Sequence, residues 1–298
     1  MATGLAARTA HRGQKLKRAG VIGLGAIGGG VAICLARSGH LAAVYDVRPE
    51  AAKDLPGVPP VAASPRELAR QVDVVLIAVV SARQTVDVLS GPNGVLTAAR
   101  PGLNVVLLST VSLKDLREIR ALTDAAGVGL VDSGVTGGPK ARENGLICLV
   151  GGQDSVLAEV RPVLEGFARS VAHMGGPGAG MAAKIARNVI VYGCLRAGYE
   201  AAVLCRGAGV SVADLAKVIE QSADAVGGPF MLMARPADPL SDGAEAQVRE
   251  SVRGLMIKDL EAAQELASTL GIVLPLVALT LSTDRAVVGL AHVNGEQA

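Results

Sequence analysis

Between Ala19 and about Gly175 the hydrophobic positions fall in short continuous runs separated by amphipathic stretches, and beyond Gly178 they recur only at helical spacing. The first pattern predicts strands over 19–24, 41–46, 58–62, 73–79, 103–109, 128–132, 146–150 and 171–174, alternating with helices, as in a parallel sheet covered on both faces. The run Val74–Val79 is apolar on both faces, which a central parallel strand requires. Ser64-Pro65-Arg66-Glu67 marks a helix start, with a capping hydroxyl, a proline at the first position and an acid three residues on. Ser112 followed by Asp115 marks another helix, ending near Gly127. The second pattern predicts a helix over about 178–206, long enough to bridge two domains, and shorter ones over 211–222, 249–270 and 275–290. Residues 223–247, with Gly227-Gly228, Pro229, Pro236 and Pro239, read as mostly loop. The expected fold class is α/β, an N-terminal doubly wound parallel sheet (19–177) followed by an all-helical C-terminal domain (178–298), after a tail over 1–18.

Composition narrows the partners. Half of the 298 residues are hydrophobic, enough for a sizeable core. Gly, Arg, Asp or Pro interrupts every apolar segment before it reaches the length of a bilayer span, so no membrane partner is expected. A formal net charge of +2, with three Tyr, two Phe and no Trp, gives neither the basic surface nor the stacking platforms of a nucleic-acid binder. Cys34, Cys148, Cys194 and Cys205 lack metal-ligand spacing and sit in apolar segments, which predicts reduced, buried thiols in a cytoplasmic protein and no metal site. The first 18 residues carry His11, Arg12, Lys15, Lys17 and Arg18 with no acid and no apolar core, and read as a disordered basic tail, a targeting leader being the alternative.

The most informative chemistry lies in Val21-Ile22-Gly23-Leu24-Gly25-Ala26-Ile27-Gly28, at a strand-to-helix turn. Gly23 allows the sharp turn, Gly25 leaves room for a pyrophosphate to approach the backbone, and Gly28 lets the helix lie against the sheet. The free N–H groups of Leu24 to Gly28 then face the anion. Asp46, at the end of the next apolar run, sits where a carboxylate accepts hydrogen bonds from a ribose 2'-hydroxyl. The pattern is that of a Rossmann domain for NAD rather than NADP, although Arg48 is able to stack on adenine or reach a 2'-phosphate. Val79, at the end of a central strand, is expected to line the cofactor cleft.

Two further clusters follow. Asp132-Ser133-Gly134-Val135-Thr136-Gly137-Gly138 lies at the C-terminal end of a predicted strand, the ligand-binding edge of such sheets. Thr136, Gly137 and Gly138 offer a hydroxyl and two unhindered N–H groups to a carboxylate, and equally read as a glycine-rich turn. The second cluster, Gly175-Gly176-Pro177-Gly178-Ala179-Gly180, leads into Lys184 and Asn188, which are four apart and share one face of an otherwise apolar helix.

In this order the clusters resemble the beta-hydroxyacid dehydrogenase family, which includes 3-hydroxyisobutyrate dehydrogenase and tartronate semialdehyde reductase, in a 6-phosphogluconate dehydrogenase-like superfamily. The family fingerprint G-L-G-x-M-G is matched by Gly23–Gly28 with Ile27 for Met. The substrate loop D-x-P-V-S-G-G has Gly134 for Pro and Thr136 for Ser. The stretch G-x-G-x-x-x-K-x-x-x-N is matched by Gly178, Gly180, Lys184 and Asn188, the late K-D-L by Lys258-Asp259-Leu260, and the S-T-x-S turn near the nicotinamide by Ser109-Thr110-Val111-Ser112. The resemblance implies that Lys184 is the general acid/base, its pKa lowered by burial and a nearby cation such as Lys258. It further implies that Asn188 holds the substrate hydroxyl, that Thr136–Gly138 hold a carboxylate, and that Lys258 covers the nicotinamide side; a solvated lysine is the plainer reading of Lys258. Gly134 is expected to loosen a turn that proline stiffens. Arg142 reads either as a second anion contact or, more simply, as solvent-exposed.

The expected activity is hydride transfer between NAD and a short 3-hydroxy acid or its semialdehyde, by a homodimer or homotetramer. An imine reductase of the same architecture typically has another residue at the position of Lys184. A catalytically silent NAD-binding sensor would have no need of Lys184 and Asn188.

Overall fold

The computed structural model describes residues 16–222 and 240–291. The apolar runs become β1 (Ala19–Ile22), β2 (Leu41–Tyr45), β3 (Val74–Ile77), β4 (Asn104–Leu107), β5 (Gly129–Thr136), β6 (Leu146–Gly151) and β7 (Ala168–Gly175). They form one sheet in the order β2-β1-β3-β4-β5-β6-β7. Strand order reverses at β1, which pairs in parallel with both β2 and β3, and this opens a crevice at its carboxyl end. Helices α1 (Ala26–Arg37) and α5 (Asp154–Glu165) cover one face, with Val31, Leu35, Val160 and Leu164 fully buried. Helices α2 (Pro65–Arg70), α3 (Ala82–Ser90) and α4 (Leu113–Ala125) cover the other, around Leu68, Leu89, Leu116 and Ile119.

The predicted helix starts form as read. Ser64 accepts from the Glu67 N–H, while the Glu67 carboxylate accepts from the Ala63 N–H at 2.8 Å. Ser112 accepts from the Asp115 N–H at 3.1 Å and caps α4.

Several expectations fail for local reasons. Residues 58–62 form no strand: Pro59 and Pro60 carry no N–H, and only an isolated bridge between Val44 and Val61 remains. The sheet is not wholly parallel, because β6 runs antiparallel to β5. Their connection holds only a 3-10 segment over Gly138–Glu143, too short for the crossover that a parallel return needs. The tail expected over 1–18 lies outside the described residues up to 15; the next residues are docked, with Lys17 paired to Glu159 and the Arg18 N–H bonded to Asp73 at 2.9 Å.

After β7 come α6 (Ala179–Gly207), α7 (Val212–Ser222), α8 (Gly243–Thr269), α9 (Pro275–Ser282) and α10 (Asp284–Val287). Helix α8 starts earlier than expected, so the expected loop 223–247 is helical from Gly243 on, while its residues 223–239 lie outside the described residues. The helix expected over 275–290 breaks at Thr283, whose hydroxyl, like that of Ser282, donates to the Leu279 carbonyl at 2.8 Å and competes with the helical ladder. Cys34 and Cys148 are buried as expected, but Cys194 on α6 is exposed and Cys205 half-buried, because part of α6 faces solvent. Among the described residues no helix is long and apolar enough to cross a membrane, and no cluster of His, Cys, Asp or Glu could hold a metal.

Contacts divide the chain into two compact units, one ending at Asn188 and the other beginning at Val189, a boundary inside α6. Within each unit a carboxylate from elsewhere in the chain caps a helix. Asp132 on β5 accepts from the Gly178 and Met181 N–H groups at the start of α6, each at 2.7 Å. Glu200 on α6 accepts from the Leu276 N–H at 2.8 Å at the start of α9. Burial raises the Asp132 carboxyl despite its N–H partners; at Glu200 burial acts the same way but is outweighed by the Leu276 N–H and by Arg196, which hold that carboxyl low. Asp132→Ala leaves the buried Met181 N–H and the part-buried Gly178 N–H without acceptors and is expected to cost about 1–3 kcal/mol, a fall of several degrees in Tm by calorimetry. Asp132→Asn, which keeps one acceptor without the buried charge, should cost less; equal stability of all three proteins would show that the cap contributes nothing.

Candidate active site

The glycine turn sits at the carboxyl end of β1, in the crevice where strand order reverses. Gly23 has φ +88°, and a side chain there would lie 2.6 Å from the Ala78 carbonyl oxygen. A side chain on Gly28 would collide with the Gly23 carbonyl, so both glycines serve the packing of α1 on the sheet. Gly25 differs: apart from its own neighbours in the chain, nothing lies within 4 Å of where its Cβ would stand, so its missing side chain leaves space for something other than the protein. Serines cap α2, α3 and α4, but no side chain caps α1 and no acid lies in its first turn. Its first N–H groups, around Ala26 and Ile27, are thus available to an anion, and the residues present fit a dinucleotide pyrophosphate.

Beside this turn lies a cavity of about 440 Å³ lined by Gly23, Gly25, Asp46, Arg48, Val79 and Val80, among others. Its apolar rim, with Val47 and Val80 both strongly exposed, suits the faces of an adenine ring. Asp46 is buried; its Oδ2 accepts from the Leu24 N–H at 2.7 Å, tying the end of β2 to the turn. Its Oδ1 accepts from the Arg48 backbone N–H and from Arg48 Nε, both at 3.0 Å. Burial works to raise the Asp46 carboxyl, but the Arg48 side chain and the two backbone donors prevail and hold it below the usual carboxylate range. The Asp46 carboxylate is therefore ionised at neutral pH and partly occupied by an exposed guanidinium. Ser109, buried, donates to the Val79 carbonyl at 2.7 Å, while the neighbouring Thr110 is exposed.

The second half of the site is built on β5. Asp132, Gly134 and Thr136 alternate along the strand and so share a face. Asp132 holds the start of α6, and Gly134 lies under Lys184: a side chain there would come within 2.7 Å of Lys184 Cγ. Gly134 thus corrects the sequence reading: it lies in a strand, paired with Leu149, and seats the lysine instead of loosening a turn. Close approach at the start of α6 also depends on Gly180, where a side chain would meet the Gly151 nitrogen, the Leu149 oxygen and the Asp132 oxygen.

Lys184 is buried, and burial first, then the positive charge of Arg187, lowers its pKa from the ordinary lysine value. Arg187 lies three residues on in the same helix. Asn188, one turn on, is half-buried, and both residues belong to the same compact unit as the glycine turn. Lys258 belongs to the second unit; its side chain is 71% exposed and pairs with Asp259 at 3.2 Å. Thr136 is half-buried at the end of β5, Gly137 adopts φ +87°, and Gly138 faces Ile27 of the glycine turn. Arg142 is exposed, its carbonyl accepting from Arg37 at 2.7 Å.

The structure therefore brings together Gly23, Leu24, Gly25, Ala26, Ile27, Gly28, Asp46, Arg48 and Val79 on the nucleotide side, with Thr136, Gly137, Gly138 and Lys184 in the same unit. The capping role of Asp132 and the seat at Gly134 escaped the sequence reading, because both depend on partners about 50 residues away, and sequence spacing carries no sign of such pairs.

Comparison with known proteins agrees with this geometry. Residues 18–176 match the family model described as the NAD binding domain of 6-phosphogluconate dehydrogenase, and residues 178–295 match that described as NAD-binding of NADP-dependent 3-hydroxyisobutyrate dehydrogenase. An NAD-dependent L-serine dehydrogenase of Pseudomonas aeruginosa is 30% identical over 91% of this chain and 92% of its own length. The crystal structure of a putative oxidoreductase from Mycobacterium avium superposes with a TM-score of 0.83 at 30% identity, covering 93% of this chain and all of that one. The Mycobacterium tuberculosis 3-hydroxyisobutyrate dehydrogenase with L-serine does so with a TM-score of 0.65 at 27% identity, covering 92% and 98%. An imine reductase from Pseudomonas sp., at 20% identity and a TM-score of 0.72 over 92% and 96%, shares the fold.

The two kinds of glycine make a test. Gly25→Val should leave Tm within about 1 °C and weaken dinucleotide binding by calorimetry at least tenfold, whereas Gly28→Ala should lower Tm by several degrees. Unchanged dinucleotide affinity in the Gly25 variant would remove the turn from the binding site.

Proposed function

The chain belongs to the beta-hydroxyacid dehydrogenase family, and from that membership we propose that it is an NAD-dependent dehydrogenase of a short 3-hydroxy acid that yields the matching semialdehyde. The observation that carries this reading is Lys184, buried against β5 with a lowered pKa and followed one turn later by Asn188. A lysine that is neutral more readily than usual is a suitable proton acceptor. Bound NAD would supply the hydride acceptor. Lys184 Nζ takes the substrate hydroxyl proton, and Asn188 orients that hydroxyl. The Thr136 hydroxyl and the N–H groups of Gly137 and Gly138 hold the carboxylate, and Thr110 lies on the nicotinamide side. Asp46 accepts from the ribose hydroxyls once the exposed Arg48 side chain yields its hydrogen bonds. The buried carboxylate favours NAD over NADP, since it repels a 2'-phosphate.

The names of the relatives narrow the substrate class. L-Serine and 3-hydroxyisobutyrate are both short carboxylates with a hydroxyl on carbon 3, and each fits a site with one anion loop and one general base. The likeness to imine reductases is one of fold, and Lys184 with Asn188 favours the hydroxy acids.

We further propose that the protein is a homo-oligomer through α6. Val189, Tyr192, Leu195 and Tyr199 are each at least 60% exposed, and their spacing forms a stripe down the helix that continues the Lys184–Asn188 face. Tyr192→Glu with Leu195→Glu should lower the mass measured by analytical ultracentrifugation; an unchanged mass would put the contact elsewhere.

The activity is tested by following NAD reduction with L-serine and 3-hydroxyisobutyrate, each as the free acid and as its methyl ester. The acid should be the better substrate by about tenfold or more, the worth of a charge-assisted contact. Turnover in the oxidation direction should rise with pH through the Lys184 pKa, below the ordinary lysine range, because only the neutral amine accepts a proton. Lys184→Ala should lower turnover at least about 100-fold and remove that limb while leaving NAD affinity unchanged. An inactive panel with intact NAD binding would favour the NAD-binding sensor, and equal efficiency for acid and ester would sink the carboxylate pocket.

A further inference from the structure

The segment that follows the carboxylate loop does not lie free. It is docked along one stripe of the phosphate-binding helix. Ile27, Gly30, Cys34 and Arg37 recur on one face of α1. Ile27 faces Gly138; Gly30 meets Ala141, whose Cβ would stand 2.7 Å from a side chain on that glycine; and the Cys34 thiol donates to the Ala141 carbonyl at 3.3 Å. At the end of the stripe Arg37 Nη2 donates to the Arg142 carbonyl at 2.7 Å and to Asn144 Oδ1 at 2.8 Å. Asn144 is the one non-glycine residue with positive φ among those described, and its side-chain amide donates to the Gly166 carbonyl at 2.9 Å. That amide therefore links α1, the segment after the loop and the end of α5.

We propose that Arg37 is a positioning residue of the substrate loop. By gripping Arg142 and Asn144 it fixes the 3-10 segment to α1, and thereby fixes Thr136–Gly138 against the helix whose other end faces the dinucleotide. This rests on the reading of Thr136–Gly138 as the carboxylate loop. Arg37 touches neither ligand, so its loss should act on substrate affinity while leaving the turn at Gly23–Gly28 intact. It should also uncouple the loop from cofactor binding: a dinucleotide that steadies the start of α1 steadies residues 137–145 only through this dock.

The test compares wild type with Arg37→Met, Arg37→Lys and Asn144→Gly, the last keeping the left-handed backbone while deleting both the acceptor for Arg37 and the bond to Gly166. NAD affinity is measured by calorimetry, amide hydrogen exchange of residues 137–145 with and without NAD, and KM and kcat with L-serine and 3-hydroxyisobutyrate. In wild type NAD should slow exchange in 137–145. In Arg37→Met and Asn144→Gly that response should be lost and KM should rise about fivefold, as for one net hydrogen bond, with kcat and NAD affinity within about twofold of wild type. Arg37→Lys, which retains donors, should recover most of both effects. A wild-type exchange response to NAD in Arg37→Met would overturn the proposal, as would an unchanged KM or a fall in NAD affinity that parallels the rise in KM. If Arg37→Met fails to fold, Asn144→Gly carries the same two readouts. If wild type oxidises neither acid, the functional reading fails on its own, while the exchange measurement still decides whether Arg37 couples the loop to the cofactor helix.

Discussion

The structure turns on the bond between one buried carboxylate and the start of one helix. Asp132 stands on the central part of the sheet and accepts the N–H groups of Gly178 and Met181. A helix start brings unpaired donors with it, and burying those donors against a sheet is costly unless an acceptor is already there. Asp132 supplies it from β5. The cap fixes where α6 begins, and through α6 it fixes the height of Lys184 above the strand. The ionised carboxylate is itself disfavoured by burial, so the fold accepts an expensive group at this point in return for a defined helix origin.

The close approaches around this cap are made by glycines, for different reasons. Gly180 and Gly134 let α6 lie on the sheet and let the lysine stem lie on β5, whereas Gly30 lets the 3-10 segment lie on α1. Gly25, in the phosphate-binding turn, borders open space. A glycine-rich motif is therefore not a single device: some of its members bring protein surfaces together, and another keeps one apart for a ligand.

The nucleotide half of the site was legible because its parts are close in sequence. A strand, a glycine turn, a helix and an acidic residue within about 30 residues form a unit whose geometry follows from local rules. The substrate half was legible only as residue types. That Asp132 is a cap, that Gly134 is a seat and that Arg37 reaches Asn144 are facts about pairs separated by 46 to 107 positions, set by the order of strands in the sheet. The antiparallel turn of β6 follows from a connection too short for a crossover, a constraint already present in the spacing of the two apolar runs. Residues 58–62 are apolar enough for a strand, but Pro59 and Pro60 remove the N–H donors that a ladder needs.

The place of Lys184 along its helix has a mechanical meaning. With a rise of 1.5 Å per residue, Lys184 lies about 4.5 Å beyond Met181, where Asp132 holds the helix, whereas Asn188, the last residue of its unit, lies about 10.5 Å beyond it. For a rigid rod anchored at that end, displacement scales with distance from the anchor. A tilt that carried Asn188 sideways by about 1 Å would shift the lysine by only about 0.4 Å. The lysine amine therefore sits near the fulcrum of a short lever, where swings of its far end at Asn188 are cut by more than half.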